Sequence, residues 1–176
     1  MTYKNIAISG DTGTGKTTLA SNLAKKLNWR IVNGGEFFRE WHKKNNIPIV
    51  ETDKVPEMMD RQIDFDFQRL MQSDSKVIFE TRLAGWLAKD MPDVFRVLCV
   101  CDFETGVARA GYRDKESLDQ ALKDAKLRSS NLRKKFKKLY GVADYLDPKY
   151  FDLVVDTTEK TPEEVLEIVL KALESK

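Results

Sequence analysis

The feature that most constrains this 176-residue chain is a glycine-rich segment near its beginning. Residues 10–17 read GDTGTGKT and follow the apolar run Ile6 to Ile8, which is typical of a buried strand. A helical pattern follows at once, with Leu19, Leu23 and Leu27 on one face. The segment fits the pattern G-x-x-x-x-G-K-[ST] between a strand and a helix, whose backbone N–H groups cradle phosphates. The sequence therefore predicts a nucleoside triphosphate site.

Two residues of this loop, Lys16 and Thr17, have specific expected roles. Lys16 is expected to reach the β- and γ-phosphates, and the Thr17 hydroxyl to bind Mg²⁺. Glu80 ends a later apolar run, so we expect it to hold a Mg²⁺-bound water opposite Thr17. The residues expected to contact the triphosphate are Gly10, Asp11, Thr12, Gly13, Thr14, Gly15, Lys16, Thr17 and Thr18.

Five short apolar runs alternate with helical patterns along the chain. The runs are 6–8, 29–32, 77–79, 95–101 and 153–155. Near-continuous apolar strands separated by helices predict an α/β fold with a parallel sheet covered on both faces. The length predicts one domain over residues 1–176. Two insertions, at about 34–73 and 103–140, are longer than one crossover needs and are expected to bind ligands or close over them.

Composition excludes several classes of protein. The 30 Lys and Arg residues against 28 Asp and Glu give a net charge of +2, too low for a general polyanion-binding protein. No apolar run is long enough to span a bilayer, and the beginning lacks the apolar block of a secretory leader. Cys99 and Cys101 read as two buried thiols rather than a metal or redox pair. We therefore expect a cytoplasmic protein without membrane contact.

Arginines occur where a phosphoryl-transfer enzyme needs them. Catalysis of that reaction neutralises charge on the transferred group, which guanidinium groups do well. Arg39 follows the second strand and Arg82 the third, at the sheet edge where open α/β sheets bind ligands. Arg109 and Arg113 share one helical face, and Arg128 belongs to the next helix.

Two other patterns keep alternative interpretations. Eight Lys and Arg residues lie between positions 123 and 138 against one Asp. They fit a lid helix, a solvated face or a nucleic-acid patch, and the scarcity of aromatic residues there argues against nucleic acid. Asp60 and Asp64 repeat at helical spacing after Pro56, and either present acceptors to the amine of a base or face water.

The sequence resembles the nucleoside monophosphate kinases of the P-loop superfamily, and most closely the short, archaeal-type cytidylate kinases. The resemblance covers about residues 3–160 and is carried by the phosphate loop, by NGGEFFRE at 33–40, by FETRLAGW at 79–86 and by Arg109, Arg113 and Arg128. It implies an adenylate-kinase-like fold with a five-stranded parallel sheet, an acceptor-binding insertion and a helical lid.

The resemblance also implies a reaction and a set of roles. ATP with Mg²⁺ would phosphorylate CMP or dCMP in a monomer or weak dimer. Gly34, Gly35, Arg39, Asp60, Asp64 and Arg82 would bind the acceptor. Lys16, Arg82, Arg113 and Arg128 would act in catalysis, and Arg109 and Arg113 would contact the donor.

Other hypotheses remain open from the sequence. An adenylate kinase or another monophosphate kinase is the nearest alternative. A nucleotide-binding regulatory module with weak transfer is another, because Asp11, Thr81 and Lys135 depart from the family pattern. A nucleic-acid-associated ATPase is a third, resting on the basic segment 123–138.

Overall fold

The computed structural model describes residues 3–175, and its strands and helices within that range follow the predicted alternation. The strands are β1 (Asn5–Gly10), β2 (Arg30–Asn33), β3 (Val77–Glu80), β4 (Val94–Val100) and β5 (Leu153–Asp156). The helices are α1 (Lys16–Leu27), α2 (Gly34–Lys44), α3 (Glu57–Ser73), α4 (Ala84–Leu87), α5 (Phe103–Asp114), α6 (Leu118–Tyr140) and α7 (Pro162–Glu174). Short 3₁₀ turns lie at Thr52–Lys54 and Pro148–Tyr150. The predicted domain limits, residues 1 and 176, lie outside the described residues, and the single domain stays a prediction.

All five strands run parallel in the order β2-β3-β1-β4-β5, which confirms the predicted fold class. Most strand limits differ by one or two residues from the predicted runs. Trp29 is not part of β2, because its N–H donates to Ala24 O at 3.1 Å and completes the end of α1. Strand β4 begins at Val94, which pairs with Asn5, and ends at Val100.

The central strands are buried and the edge strands are not. Every residue of β1 and β3 is buried, whereas Ile31 on β2 and Val154 on β5 are 38% and 42% exposed. Two apolar clusters cover the two faces of the sheet, one under α1 and α7 and the other under α3, α4 and the end of α6. The predicted covering of both faces therefore holds for the middle of the sheet.

Parallel strands bring their carboxyl ends to one edge of the sheet. Gly10, Asn33 and Glu80 end neighbouring strands there, and the phosphate loop, α2 and the segment before α4 begin from them. Helix α6 reaches back to the 3₁₀ turn at Thr52–Lys54, since the ammonium of Lys135 donates to Thr52 O at 2.6 Å. The two insertions thus close over the same edge.

The two cysteines lie in different environments. Cys99 is buried, which raises the pKa of its thiol to about 12, whereas Cys101 is only half-buried. The prediction of two buried thiols is therefore right for Cys99 alone, because Cys101 lies just beyond the end of β4.

Across residues 3–175 the helices are all too short or too polar to cross a membrane.

Candidate active site

The phosphate loop between β1 and α1 has the backbone that its glycines were expected to allow. Gly13 has a φ of 77°, and a Cβ there would stand 1.9 Å from Gly106 O on α5, so only glycine fits. Gly15 precedes α1 in the left-handed region, and no side chain among the described residues caps the start of this helix. The first turn also carries no acidic residue. The positive end of α1 is thus left for an external anion.

Lys16 lies at the bottom of this loop. Its Nζ donates to Asp11 O at 2.7 Å. The side chain lines a cavity enclosed by the phosphate loop, α2, α3 and α6, which we call the main cavity. Burial, followed by repulsion from Arg82, lowers the pKa of Lys16 to about 8. An anion beside this ammonium would favour its charged form.

Thr17, Asn33 and Glu80 form a small oxygen-rich group across three elements. Thr17 Oγ1 donates to Glu80 Oε1 at 2.9 Å, and Asn33 Nδ2 donates to Glu80 Oε2 at 2.7 Å. Asn33 also caps α2, since its Oδ1 accepts from the Glu36 N–H at 3.0 Å. Sequence reasoning missed Asn33, although its place directly before Gly34 is the usual signal of a helix cap.

This group suits Mg²⁺, which prefers hydroxyl and carboxylate oxygens. In the described part of the chain no three His, Cys, Asp or Glu side chains are grouped as a metal site. A Mg²⁺ ion here would therefore depend on phosphate oxygens for much of its coordination, as Mg²⁺ commonly does in nucleotide sites.

Six Lys and Arg side chains line the main cavity. Lys135 is paired with Asp60, and we call the other five the cation cluster: Lys16, Arg39, Arg82, Arg113 and Arg128. Burial, followed by repulsion from Arg82, Arg39 and Arg113, lowers the pKa of Arg128 to about 9. Arg39 and Arg113 are exposed, whereas Lys16, Arg82 and Arg128 are half-buried. This concentration of positive charge around one cavity suits a strongly negative ligand.

Two carboxylates hold members of the cation cluster. Arg82 Nη1 donates to Asp11 Oδ1 at 2.6 Å, and its Nη2 donates to the Thr12 hydroxyl. Arg113 donates to both carboxylate oxygens of Asp114, at 2.8 and 2.6 Å. Each of these arginines is therefore fixed on one side by the protein itself.

A second group of polar residues lines the same cavity between α3 and α6, and we call it the α3–α6 cluster: Thr52, Asp60, Asp64 and Lys135. Asp60 and Lys135 form a buried ion pair. Asp64 accepts from Tyr140 Oη at 2.5 Å, and burial raises the pKa of Asp64 to about 6. The Thr52 hydroxyl is buried, and no group within residues 3–175 forms a hydrogen bond with it.

The burial of the α3–α6 cluster excludes one of the two interpretations of Asp60 and Asp64, namely that they face water. Asp60 and Asp64 are 4% and 9% exposed, so they do not face water. Lys135 and Thr52 were not among the predicted site residues. No local pattern marks them, because Lys135 meets Asp60 only when α6 packs on α3, 75 positions apart in the chain.

A second cavity lies on the other side of the phosphate loop. Its lining includes Gly15, Thr18, Arg109, Lys160 and Pro162. The Arg109 guanidinium donates to Thr157 O at 2.9 Å and to Thr158 O at 3.0 Å. Arg109 is thereby held away from Arg113, which lines the main cavity.

The structure brings most of the predicted site residues to the main cavity. Those lining it are Thr12, Gly13, Lys16, Thr17, Gly35, Arg39, Asp60, Asp64, Glu80, Arg82, Arg113 and Arg128. Gly34 does not line the cavity. It packs behind the lining residues, where a Cβ on Gly34 would stand 3.2 Å from Phe67 and Thr81. Gly10, Asp11 and Thr14 belong to the loop but not to the lining, and the roles of all these residues stay predictions.

The basic segment 123–138 divides between two environments. Arg128 and Lys135 line the main cavity, whereas Lys123, Lys126, Arg133, Lys134, Lys137 and Lys138 lie outside it. The lid and solvated-face interpretations thus each describe part of this helix.

Comparison with known proteins agrees with this architecture. The sequence profile of the cytidylate kinase-like family matches residues 5–159. A cytidylate kinase from Sulfolobus acidocaldarius is 34% identical over 174 residues, covering 97% of this chain and 94% of that one. A second cytidylate kinase, from Sulfurisphaera tokodaii, is 31% identical over 167 residues, covering 93% of this chain and 92% of that one.

Solved structures show the fold. A shikimate kinase from Aquifex aeolicus superposes with a TM-score of 0.57 at 23% identity, covering 97% of this chain and 96% of that one. The family match spans the phosphate loop, both insertions and all five strands, and it confirms the resemblance found in the sequence. The chain belongs to the cytidylate kinase-like family.

Proposed function

We propose that this protein transfers the γ-phosphate of ATP to CMP or dCMP, yielding ADP and the corresponding diphosphate. One observation carries the proposal: a single cavity joins a cation cluster at the phosphate loop to a hydrogen-bonding cluster between α3 and α6. The first cluster suits the phosphates of both nucleotides, and the second suits a base. The cytidylate kinases among the relatives support the choice of acceptor.

The transfer step is a displacement at phosphorus. An oxygen of the acceptor phosphate attacks the γ-phosphorus, and the bond from that phosphorus to the β,γ-bridging oxygen breaks. Lys16 and the N–H groups of the phosphate loop neutralise the leaving oxygen. Arg113 and Arg128 neutralise the transferring group from the lid side. Thr17 and Glu80 would hold Mg²⁺, which would supply further neutralisation of phosphate charge.

The acceptor phosphate needs its own cations on the other side of the transferring group. Arg39 and Arg82 line the cavity from α2 and from the segment after β3, and a guanidinium fork matches phosphate geometry. Gly35 lines the cavity beside Arg39, so the backbone of α2 would approach a bound nucleotide closely there. We assign both arginines to the acceptor phosphate.

Cytosine has a hydrogen-bonding edge that fits the α3–α6 cluster. Its exocyclic amine donates, and its ring nitrogen and carbonyl oxygen accept. A carboxylate of Asp60 or Asp64 would accept from the amine. The Lys135 ammonium already donates to Thr52 O and Val55 O and pairs with Asp60, so the buried Thr52 hydroxyl is the group that would donate to an acceptor of the base. Uracil has a carbonyl oxygen in place of the amine. A carboxylate repels this oxygen, because both groups are hydrogen-bond acceptors. The cluster therefore favours cytosine.

The donor base is assigned to the second cavity. Its lining joins the apolar surfaces of Leu19, Pro162 and Val165 to the guanidinium of Arg109, next to Gly15 and Thr18 at the start of α1. A base there would lie flat between apolar side chains and a cation, as nucleotide bases commonly do.

The experiment is a coupled assay of ADP release with MgATP and each of CMP, dCMP, UMP, AMP and GMP. We expect the highest kcat/KM with CMP or dCMP. Equal rates with AMP and CMP would contradict the cytosine assignment. ATP binding in calorimetry without any diphosphate product would favour the regulatory module and refute the kinase.

A further inference from the structure

Asp11 is an acidic residue inside a loop that binds anions. Its Oδ1 accepts from Arg82 Nη1 at 2.6 Å and from the Thr12 N–H at 2.7 Å. Its Oδ2 accepts from the Ser129 hydroxyl of α6 at 2.9 Å. One carboxylate thus joins the phosphate loop, the arginine after β3 and the lid helix.

The carboxylate contacts Arg82 from outside the cavity. Arg82 lines the cavity and its side chain is 11% exposed, whereas Asp11 does not line it and its side chain is 38% exposed. A guanidinium has five N–H groups. The bonds to Asp11 and Thr12 use one hydrogen on each Nη, and the Tyr145 hydroxyl also lies beside this guanidinium. The N–H groups that these three residues do not use are left for a ligand.

Asp11 is charged at neutral pH. Burial would raise the pKa of this carboxyl, but Arg82, the Thr12 N–H and the Ser129 hydroxyl together outweigh it and lower the pKa below its usual value. The negative charge also offsets part of the repulsion that Arg128 receives from the other arginines.

We propose that Asp11 is a positioning residue, whose carboxylate fixes the Arg82 guanidinium against the acceptor phosphate and ties that arrangement to the closed lid through Ser129. The proposal rests on the proposed function, since it takes the phosphate at Arg82 to be the acceptor's. A carboxylate behind an arginine orients its fork, as a hydrogen-bonded partner orients any binding side chain.

The test is Asp11→Asn, which keeps the size of the side chain and the backbone carbonyl that Lys16 contacts. We expect the KM for CMP to rise about 10-fold, because Arg82 loses its fixed orientation, and the KM for ATP to change less than about 2-fold. The double variant with Arg82→Lys is expected to be no worse than Arg82→Lys alone. Asp74→Asn, which removes an exposed Arg–Asp pair remote from the cavity, is the control.

The opposite sign would overturn the proposal. If the carboxylate instead competes with the acceptor phosphate for Arg82, Asp11→Asn lowers the KM for CMP. An unchanged KM also refutes positioning. Ser129→Ala separates the two contacts of Asp11: a rise in KM smaller than that of Asp11→Asn is expected, because Arg82 keeps its partner. A rise equal to that of Asp11→Asn would assign the effect to the lid contact and refute the orientation of Arg82.

A readout without turnover separates this proposal from the proposed function. The ¹H–¹⁵N signals of the Arg82 guanidinium, assigned by their loss in Arg82→Lys, are expected to be resolved in the wild type and averaged in Asp11→Asn. If the wild type phosphorylates no monophosphate, the proposed function fails, and these spectra still decide whether Asp11 orders Arg82. Identical spectra of the wild type and Asp11→Asn would refute the proposal.

Discussion

The cation cluster and the α3–α6 cluster line one cavity but treat charge in opposite ways. In the cation cluster, five positive side chains repel one another, and burial with this repulsion lowers the pKa values of Lys16 and Arg128 to about 8 and about 9. In the α3–α6 cluster, Asp60 is paired with Lys135, and Asp64 accepts from Tyr140. The first cluster suits an anion, and the second suits a neutral group with hydrogen-bond donors.

This difference separates rate from choice of acceptor. Changes in the cation cluster should reduce turnover with every acceptor alike, because all of them carry the same phosphate. Changes in the α3–α6 cluster should alter the preference among bases. The following predictions test that separation, beginning with the largest effect.

Lys16→Ala removes the ammonium at the phosphate loop. We expect kcat to fall by about 10³-fold with CMP and with UMP, because neutralisation of the leaving oxygen is lost. Stopped assays of ADP formation measure the fall, and circular dichroism checks the fold. Phosphoryl transfer close to that of the wild type would show that the role assigned to Lys16 is wrong.

Arg82→Lys keeps the charge but replaces a fork with a single ammonium. We expect kcat/KM to fall by about 10- to 100-fold, with the same factor for CMP and UMP. Steady-state kinetics with both acceptors measure the two factors. A loss confined to CMP would place Arg82 at the base and break the separation of the two clusters.

The double variant Asp60→Asn with Lys135→Met removes both charges of the buried pair, so that neither is left unpaired. We expect the ratio of kcat/KM for CMP over UMP to fall by about 10-fold, because the amine of cytosine loses the carboxylate of Asp60. Competition between the two acceptors in one assay measures this ratio directly. Asp66→Asn, on the same helix but outside the cavity, is the matched control, and a ratio unchanged in the double variant would contradict the assignment.

Asp64→Asn tests whether the ionised Asp64 carboxylate lowers the stability of the fold while it contributes to acceptor binding. Burial raises the pKa of Asp64 from 3.8 to about 6, so its ionised form destabilises the fold. The penalty is absent below the lower of these two values and complete above the higher one, and wild-type stability therefore falls as the pH rises between them. At pH 7 we expect the Asp64→Asn variant to be more stable than the wild type by about 1 to 3 kcal/mol, and to bind CMP more weakly.

Denaturant unfolding at about pH 4 and pH 7 measures this change. The difference between the variant and the wild type should shrink at the lower pH, where both side chains are neutral in the folded protein. A variant that is less stable than the wild type at neutral pH would show that the ionised carboxylate is stabilising, and that its bond from Tyr140 outweighs its burial.

The sequence predicted one cluster better than the other. Lys16, Arg39 and Arg82 follow strands closely, and in a parallel sheet the strand ends meet at one edge, so their convergence follows from local patterns and topology. Lys135 and Tyr140 reach Asp60 and Asp64 only through the packing of α6 on α3. That packing depends on the angles of long helices, which residue spacing does not determine. Asp60 and Asp64 were thus found as candidates but their partners were not.

Asp11 shows a different limit. Its position in the loop was plain from the sequence, and a carboxylate beside a phosphate site read as a departure from the family pattern. The structure gives the departure a physical setting, because Arg82 and Ser129 approach the carboxylate from segments that lie 71 and 118 positions away.

The most direct measurement is a crystal structure with CMP and a non-hydrolysable ATP analogue. The account predicts the phosphates of both nucleotides within the cation cluster, with the γ-phosphate near Lys16 and the acceptor phosphate on Arg39 and Arg82. It predicts the cytosine between α3 and α6, with its amine on a carboxylate of Asp60 or Asp64. A cytosine outside the α3–α6 cluster, or phosphates that do not contact the cation cluster, would contradict it.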